Sequence, residues 1–195
     1  MRTPSVRGYT VVELMMALAI FAIGATGVLA MQIIAAQTNS HAKNVAVATQ
    51  LARSWQDNLS MDALVWGGLQ NWPITNTQWI QQVNVQNNVW FTPANDAALT
   101  FGPGADARGN FVDFATDPGD VVFCTHIRLT RLLATLNAEL IRTEVRVFWP
   151  KGEVAWNAGA NYCAVAAATV NAVGVATDQF HFVYHTSAVR QTPSF

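Results

Sequence analysis

Charged side chains are scarce in this sequence. They make up 12% of its 195 residues, whereas an ordinary soluble domain has roughly 25%. The 11 lysines and arginines nearly balance the 12 aspartates and glutamates, so the net charge of −1 implies no polycationic surface and no nucleic-acid partner. Two cysteines are too few for a disulfide-dense miniprotein or a four-cysteine zinc site. With 51% hydrophobic residues, the chain is not intrinsically disordered.

Motifs of catalysis and cofactor binding are missing as well. The sequence has no nucleophile elbow, phosphate-binding loop, paired zinc ligands or haem motif. His181 and His185 share a face, but a half-buried strand explains this spacing better than a site. The aspartates in the loop predicted over residues 102–120 lack the ordered spacing of a calcium loop and are interpreted as turn residues. We therefore expect no enzyme activity, metal or cofactor.

The apolar residues are concentrated near the N-terminus, over residues 11–36. Glu13 is the only charged side chain in this run, and the 23 uncharged residues that follow it exceed the ~20 helical residues that span a bilayer. Arg2 and Arg7 precede the run, so the positive-inside rule predicts a cytoplasmic N-terminus. The chain after about residue 40 is then expected in the periplasm or outside the cell.

An ordinary signal peptide is the first alternative, because residues 28–30 (Val-Leu-Ala) form an acceptable cleavage site. Its apolar region is normally shorter than this one. In addition, an acid at the membrane centre costs about 2.5–3.5 kcal/mol and somewhat less near the edge. A signal peptide gains nothing from that cost, so Glu13 indicates a function.

The segment RGYTVVELMMALAIFAIG closely resembles the class III leader of type IV prepilins. The resemblance implies cleavage between Gly8 and Tyr9 by prepilin peptidase, followed by N-methylation of Tyr9, where phenylalanine is more usual. In the family a buried acid at the position of Glu13 pairs with the terminal amine of a neighbouring subunit. Residues 1–8 are accordingly predicted to be a leader peptide.

A helical pattern continues beyond the apolar run. Apolar positions recur at spacings of three and four from Val45 to Leu59, proline is absent until Pro73, and two glycines at residues 67–68 form a stop signal. We predict one long helix over residues 9–66, spanning the membrane at about 11–36. Gly24 and Gly27 together weaken it by about 2 kcal/mol. They are either a site of local melting or a hinge, or close packing positions between transmembrane helices.

Residues 67–195 are predicted to form a periplasmic globular head. Alternation predicts strands over residues 121–132 and 142–149, a return strand over 153–156, and a last strand over 180–189. The fold class is thus α+β, a pilin-like long helix packed on an antiparallel sheet. The second strand places Thr143, Val145, Val147 and Trp149 on one face, and Arg142, Glu144, Arg146 and Phe148 on the other. Arg128, Arg131, Arg142 and Arg146 either form a local basic patch for an extracellular anion or DNA or, as we favour, line a solvated face of the sheet and pair with Glu139 and Glu144.

Residues 63–95 contain no charged side chain but eleven asparagines and glutamines and four tryptophans. The tryptophans are Trp66, Trp72, Trp79 and Trp90. They either complete the core, which we favour, or form a partner-binding face. Residues 79–89 fit a short helix or a strand equally well.

Cys124 and Cys163 both fall on the oxidising side of the membrane. A bridge between them closes a 40-residue loop and stabilises the fold by ~4 kcal/mol in the chain-entropy model. It is similar to the C-terminal disulfide loop of pilins, and two buried free thiols are the alternative. The uncharged residues 154–177 are too rich in small and polar side chains for a second membrane span.

The strand and turn VRVFWPKGEV resemble the V-type minor pilins (type IV pilus modification protein PilV). The two resemblances imply a minor type IV pilin that helps prime pilus assembly and forms part of the tip complex, supporting adhesion and twitching-type motility. Implied partners are prepilin peptidase, other minor pilins, the major pilin, a large tip adhesin and, before assembly, inner-membrane lipid. The head would be periplasmic first and then at the pilus tip on the cell surface. A minor pseudopilin of type II secretion is the alternative.

Overall fold

The computed structural model describes residues 10–67, 72–96, 101–113, 116–117, 119–135, 138–151, 163 and 180–191. The chain divides into two compact units, Met1–Lys43 and Asn44–Phe195. Several predictions fall outside the described residues: the leader, Tyr9, the return strand at 153–156, and the uncharged segment 154–177 apart from Cys163.

A single helix, α1 (Val11–Val65), confirms the long predicted helix over the described residues. It forms because helix-forming and apolar residues run without proline through all 55 positions. It ends where Gly67 adopts φ +86°, a left-handed conformation that glycine reaches without the Cβ penalty. Its apolar run is long enough and hydrophobic enough to cross a membrane.

In the second unit, the structure describes a five-stranded antiparallel sheet. Its strands are β1 (Trp90–Phe91), β2 (Gly104–Ala105), β3 (Phe123–Thr135), β4 (Ala138–Pro150) and β5 (Phe180–Arg190). The order is β1-β3-β4-β5, and β2 also pairs with β3. The three long predicted strands are confirmed with shifted ends as β3, β4 and β5. Two 3₁₀ helices, Ile74–Asn76 and Ile80–Asn84, precede β1 and resolve the open choice between helix and strand.

β2 corrects the prediction of a continuous loop over residues 102–120. Gly104 pairs with Cys124, and Ala105 pairs with Phe123. Gly104 leaves little space for a side chain here, since a Cβ atom would lie 3.0 Å from the carbonyl oxygen of Val112. Two residues are too short a strand to produce an alternating pattern, so the sequence carries no signal for it.

The C-terminal half of α1 packs on the predicted apolar face of the sheet, which is an α+β pilin-like architecture. Leu51, Trp55 and Leu59 are buried together with Val145 and Val147 of β4. A buried hydrogen bond from Gln56 Nε2 to Thr143 Oγ1, 2.6 Å long, crosses this interface. The bond fixes the rotation of the helix on the sheet, because it forms only in one register.

The opposite face of the sheet is not uniformly solvated, contrary to the prediction. Phe148 is fully buried in a second apolar cluster that contains Val121, Cys124, Cys163 and Phe180. Arg146, on the same face, is 2% exposed. Alternation predicted correctly that Arg142, Glu144, Arg146 and Phe148 of β4 share this face. The prediction was wrong for Arg131, which pairs with Ile141 and so lies on the helix side of the sheet. Alternation also cannot predict that residues distant in sequence cover one end of the face.

Candidate functional site

The start of α1 is stabilised by a reciprocal capping interaction between Thr10 and Glu13. Glu13 Oε2 accepts hydrogen bonds from the backbone N–H and the hydroxyl of Thr10, each 3.2 Å long. The Glu13 N–H donates in return to Thr10 Oγ1 at 3.3 Å. This is a capping box, which satisfies helix N-terminal donors and lets the local dipole stabilise the carboxylate.

Sequence reasoning missed this capping box, although its signal is present as Thr-x-x-Glu directly before an apolar run. The carboxylate of Glu13 therefore has a local role as well as any role in assembly. Both bonds from Thr10 end on Oε2, so the cap does not require Oε1.

The apolar residues that follow Glu13 form an exposed helical surface in the first unit. Phe21 and Ile23, for example, keep 73% and 74% of their surfaces exposed. Two hydroxyl groups in this stretch form hydrogen bonds within the helix: Thr26 donates to Ile23 O and Thr38 donates to Ile34 O. A helix with apolar exposed side chains and internally bonded hydroxyls is suited to lipid or to a bundle of like helices.

Gly24 and Gly27 lie inside this uninterrupted helix. Nothing lies within 4 Å of a Cβ atom built at either position. Their interpretation as a hinge or as packing positions therefore stays a prediction, because each depends on neighbours in an assembly.

On the outer face of the sheet, Trp90 lies beneath two guanidinium groups. Its ring centroid is 4.8 Å from Arg128 Cζ and 4.4 Å from Arg146 Cζ. Arg128 also forms a bidentate salt bridge with Glu144, with both N–O distances at 2.8 Å. Tyr184 borders the group, 6.2 Å from the Trp90 ring, and remains 55% exposed.

Arg146 lies at the centre of this group and is buried. Desolvation lowers its pKa to about 10, while the adjacent Tyr184 opposes the shift. Its Nε donates to Nδ1 of the buried His126 at 3.1 Å. His126 must therefore present an unprotonated Nδ1, and the pair is a structural element of the sheet rather than a solvated ion pair.

The four tryptophans of residues 63–95 have different environments. Trp66 and Trp79 are buried in the core, as favoured from the sequence. Trp79 packs edge-to-face on Trp55, with centroids 5.6 Å apart. Trp90 is half-buried on β1, and Trp72 is 42% exposed. The tryptophan-rich segment is thus partly core and partly surface.

Asp62 joins α1 to the segment that carries the 3₁₀ helices. Its two carboxylate oxygens accept from the backbone N–H groups of Gln78, Trp79 and Ile80 at 2.7, 2.8 and 3.0 Å. These donors are the unsatisfied ones at the start of the second 3₁₀ helix. The sequence gives no signal for this contact, because it joins residues 16 to 18 positions apart.

Cys124 and Cys163 form a disulfide with their Cα atoms 5.5 Å apart. The bond closes a loop with a sequence separation of 39 and lies within the second apolar cluster. The two cysteines are therefore bonded to each other and are not the two free thiols of the alternative interpretation.

The acidic loop residues form local turn contacts. Burial is the largest single influence on the pKa of Asp106 and raises it. Hydrogen bonds from the Asn110 side chain and from the backbone of Asn110, Arg108 and Gly109 together outweigh burial, so the pKa is lowered. Asp113 accepts from Asn95 Nδ2 at 2.7 Å. Within the described ranges, no cluster of three or more potential metal-ligating side chains occurs.

Residues 4–29 match the family described as the Prokaryotic N-terminal methylation motif. The match supports a pilin-like protein, a type IV pilin or a pseudopilin, and this motif family is structural rather than catalytic. Such a motif implies processing by prepilin peptidase, and together with the apolar helix it indicates membrane anchoring. No curated protein and no solved structure matches the chain significantly.

Proposed function

We propose that the chain is a minor type IV pilin, similar to the V-type minor pilins. It helps to prime pilus assembly and forms part of the tip complex, in support of adhesion and twitching-type motility. Residues 1–8 are the leader, residues 9–66 the long helix with its membrane span at about 11–36, and residues 67–195 the periplasmic head. The head reaches the cell surface with the pilus tip.

The carboxylate of Glu13 at the start of an exposed apolar helix is the observation that carries this proposal. Placing such an acid in lipid costs free energy, and a simple membrane anchor has no interaction that would offset this cost. Cleavage after Gly8 would create a cationic amine at Tyr9, close to Glu13 in sequence. In a bundle of identical helix starts, the amine of one subunit pairs with Glu13 of the next, and each offsets the desolvation of the other only in the correct register.

The proposed partners follow from this assembly. Prepilin peptidase acts first, while inner-membrane lipid surrounds the apolar residues of α1. Other minor pilins and the major pilin then replace the lipid, and a large tip adhesin binds the assembled heads. In the filament, Gly24 and Gly27 act either as the point where α1 melts locally or as close-packing positions against neighbouring helices.

A minor pseudopilin of type II secretion is the second candidate, because the matched N-terminal motif is common to pilins and pseudopilins. Deletion of the chain separates them. A minor pilin is required for surface filaments and twitching, whereas a minor pseudopilin is required for the release of secreted proteins.

The first experiment is intact-mass analysis and N-terminal sequencing of the protein from native membranes. We expect a chain that starts at N-methylated Tyr9. A start at Met31, after cleavage behind Ala30, would indicate a conventional signal peptide and refute the proposal. An unprocessed chain that begins at Met1 would refute it too.

A further inference from the structure

The outer face of the sheet is covered at one end and open at the other. Phe148 and Phe180 are buried in the second apolar cluster at the covered end. At the open end, β5 presents four exposed side chains at alternate positions: Tyr184, Thr186, Ala188 and Arg190. Six residues of strand separate Tyr184 from Arg190, which corresponds to about 20 Å.

Neighbouring residues of β4 and β3 widen this row of side chains into a strip. Glu144 pairs with Thr186, Arg142 pairs with Ala188, and Arg128 pairs with Glu144 on its other side. Directly paired residues lie on the same face of a sheet. We define the open surface as these seven residues: Arg128, Arg142, Glu144, Tyr184, Thr186, Ala188 and Arg190.

Positive charge prevails on the open surface. Three arginines against one glutamate give it a net charge of +2, whereas the whole chain has a net charge of −1. Glu144 pairs with Arg128 at 2.8 Å and with Arg142 at 3.3 Å, so one acid is shared by two arginines. The Arg142 side chain is 39% exposed. Arg190 forms no ion pair with any residue that the structure describes.

Tyr184 provides an aromatic ring at the end of the open surface that lies away from Arg190. It is 55% exposed, and its side chain is a hydrogen-bond partner of the Arg146 guanidinium. Its ring is nearly parallel to that of Phe182, with centroids 6.0 Å apart, and its centroid is 6.2 Å from that of Trp90. These contacts hold the ring in place, so a ligand can bind it at a low cost in side-chain entropy.

The size of the open surface favours a narrow ligand. The strip is about 20 Å long and three strands wide, which at about 4.8 Å per strand corresponds to roughly 300 Å². A stable interface with a folded protein buries about 800 Å² on each partner. A single extended polymer chain fits a strip of these dimensions better.

The side chains of the open surface can both donate and accept hydrogen bonds. Arginine binds carboxylates through two parallel bonds, and the oxygens of Glu144 and Thr186 can accept from hydroxyl groups. The negative face of the Tyr184 ring attracts the polarised C–H groups of a sugar ring. Nucleic acid fits less well, because its phosphates only accept hydrogen bonds and are repelled by Glu144.

We propose that the open surface binds an acidic polysaccharide, with a sugar ring on Tyr184 and carboxylates on Arg142 and Arg190. The inference rests on the proposed role of the head in adhesion, and it names the class of target that the head recognises. Because about 20 Å separates Tyr184 from Arg190, the ring and the arginines contact different sugar units of one chain. A polymer therefore binds more tightly than a single sugar.

Polygalacturonate, which carries one carboxylate on each sugar unit, is the probe for this site. The full-length protein is purified in detergent from native membranes and immobilised, and its affinity for the probe is measured at about 0.15 M salt. We expect the probe to bind, neutral dextran not to bind, and monomeric galacturonic acid to bind at least about tenfold more weakly. Salt at about 1 M should weaken binding of the probe.

Two pairs of variants separate the contributions of charge and ring. Arg142→Gln/Arg190→Gln should weaken binding about tenfold or more. The control Arg53→Gln/Arg108→Gln makes the same charge change at exposed positions elsewhere and should bind as the wild type does. Tyr184→Ala should weaken binding about fivefold, whereas Tyr184→Phe, which keeps the ring, should stay within about twofold.

A further variant, Ala188→Glu, tests the site without removing a packed side chain. Ala188 is exposed between the ring and Arg190, so the new carboxylate repels the ligand while the sheet keeps its contacts. We expect affinity for polygalacturonate to fall about tenfold. Retention of the Cys124–Cys163 disulfide on a non-reducing gel and an unchanged thermal unfolding transition show which variants are folded.

Four outcomes would overturn the inference. The first is a folded wild type that does not bind polygalacturonate. The second is unchanged affinity of the folded variants Arg142→Gln/Arg190→Gln and Ala188→Glu. The third is unchanged affinity of folded Tyr184→Ala, since charge alone would then explain binding. The fourth is equal or tighter binding of single-stranded DNA or polyglutamate, which would indicate a different class of partner.

Intact mass separates these failures from a failure of the proposed function. A chain that starts at N-methylated Tyr9 but does not bind polygalacturonate refutes the inference about the open surface and leaves the proposed function in place. An unprocessed wild-type chain refutes the proposed function itself.

Discussion

Glutamine at position 13 separates the two roles available to the Glu13 carboxylate. In Glu13→Gln the side-chain carbonyl can still accept from Thr10, because glutamine also completes a capping box. The negative charge, however, is lost. Thr10→Ala has the opposite effect: it removes the hydroxyl that bonds Glu13 Oε2 and the Glu13 N–H, at 3.2 and 3.3 Å, and it leaves the charge in place.

The expected magnitudes differ by several kcal/mol. Loss of an N-cap costs about 0.5–2 kcal/mol and frays the first turn of a helix that is 55 residues long. Loss of the Glu13 charge in an assembled bundle leaves a neighbour's buried amine unpaired, at a cost of about 3–5 kcal/mol. The second figure corresponds to a change of roughly a hundredfold to a few thousandfold in the assembly equilibrium.

The assay is quantitative immunoblotting of sheared surface filaments against membranes, with intact mass to verify leader processing. We expect Glu13→Gln to be processed but missing from the filament fraction, and Thr10→Ala to assemble within a few-fold of the wild type. If Glu13→Gln assembles normally, the pairing of charge with amine is wrong. If Thr10→Ala loses as much assembly as Glu13→Gln, the cap is the essential feature and the reasoning from charge fails.

Three further predictions concern the second unit, each measured by unfolding of the full-length protein in detergent. Asp62→Ala leaves three backbone donors without their acceptor, so we expect a loss of about 2–4 kcal/mol, whereas Asp57→Ala on the exposed side of α1 should change stability by less than about 0.5 kcal/mol. Cys124→Ser, which opens a loop with a sequence separation of 39, should cost about 4 kcal/mol, and reduction of the wild type should match it. Hydrogen bonds lower the pKa of Asp106. The contribution of its carboxylate to the free energy of unfolding is therefore present above the unfolded pKa of about 3.9 and is lost as the pH falls through the lower folded value. We expect Asp106→Ala to flatten the acid limb of the plot of unfolding free energy against pH. The first prediction is contradicted if Asp57→Ala costs as much stability as Asp62→Ala. The second is contradicted if reduction of the disulfide leaves stability unchanged, and the third if Asp106→Ala leaves the acid limb unchanged.

The long helix and the three long strands could be predicted because their signals are local. Spacings of three and four place Leu51, Trp55 and Leu59 on one face of α1, and that face is the buried one. Alternation in β4 separates Val145 and Val147 from their neighbours in the same way. Periodicity thus identifies which side of an element is apolar and, in a two-layer fold, which side meets the other layer.

The features that sequence reasoning missed depend on contacts between distant residues. Arg146 is buried because the ring of Trp90 covers its guanidinium and Tyr184 and His126 flank it, and they come from three other strands. Residues twenty or more positions apart in sequence give no periodic signal. The capping box of Thr10 is different, since its pattern is local and could have been recognised.

The capping box also bears on how a subunit can wait in the membrane and still assemble. In the free chain, the N–H and hydroxyl of Thr10 both donate hydrogen bonds to Oε2 of Glu13. These bonds lower the free-energy cost of keeping the carboxylate near lipid. In the proposed bundle, a neighbour's amine can approach Oε1 while the bonds from Thr10 stay intact. Assembly then adds an ion pair to a preformed helix start instead of exchanging one interaction for another. The free energy of the pair therefore contributes to assembly without the cost of unfolding the first turn.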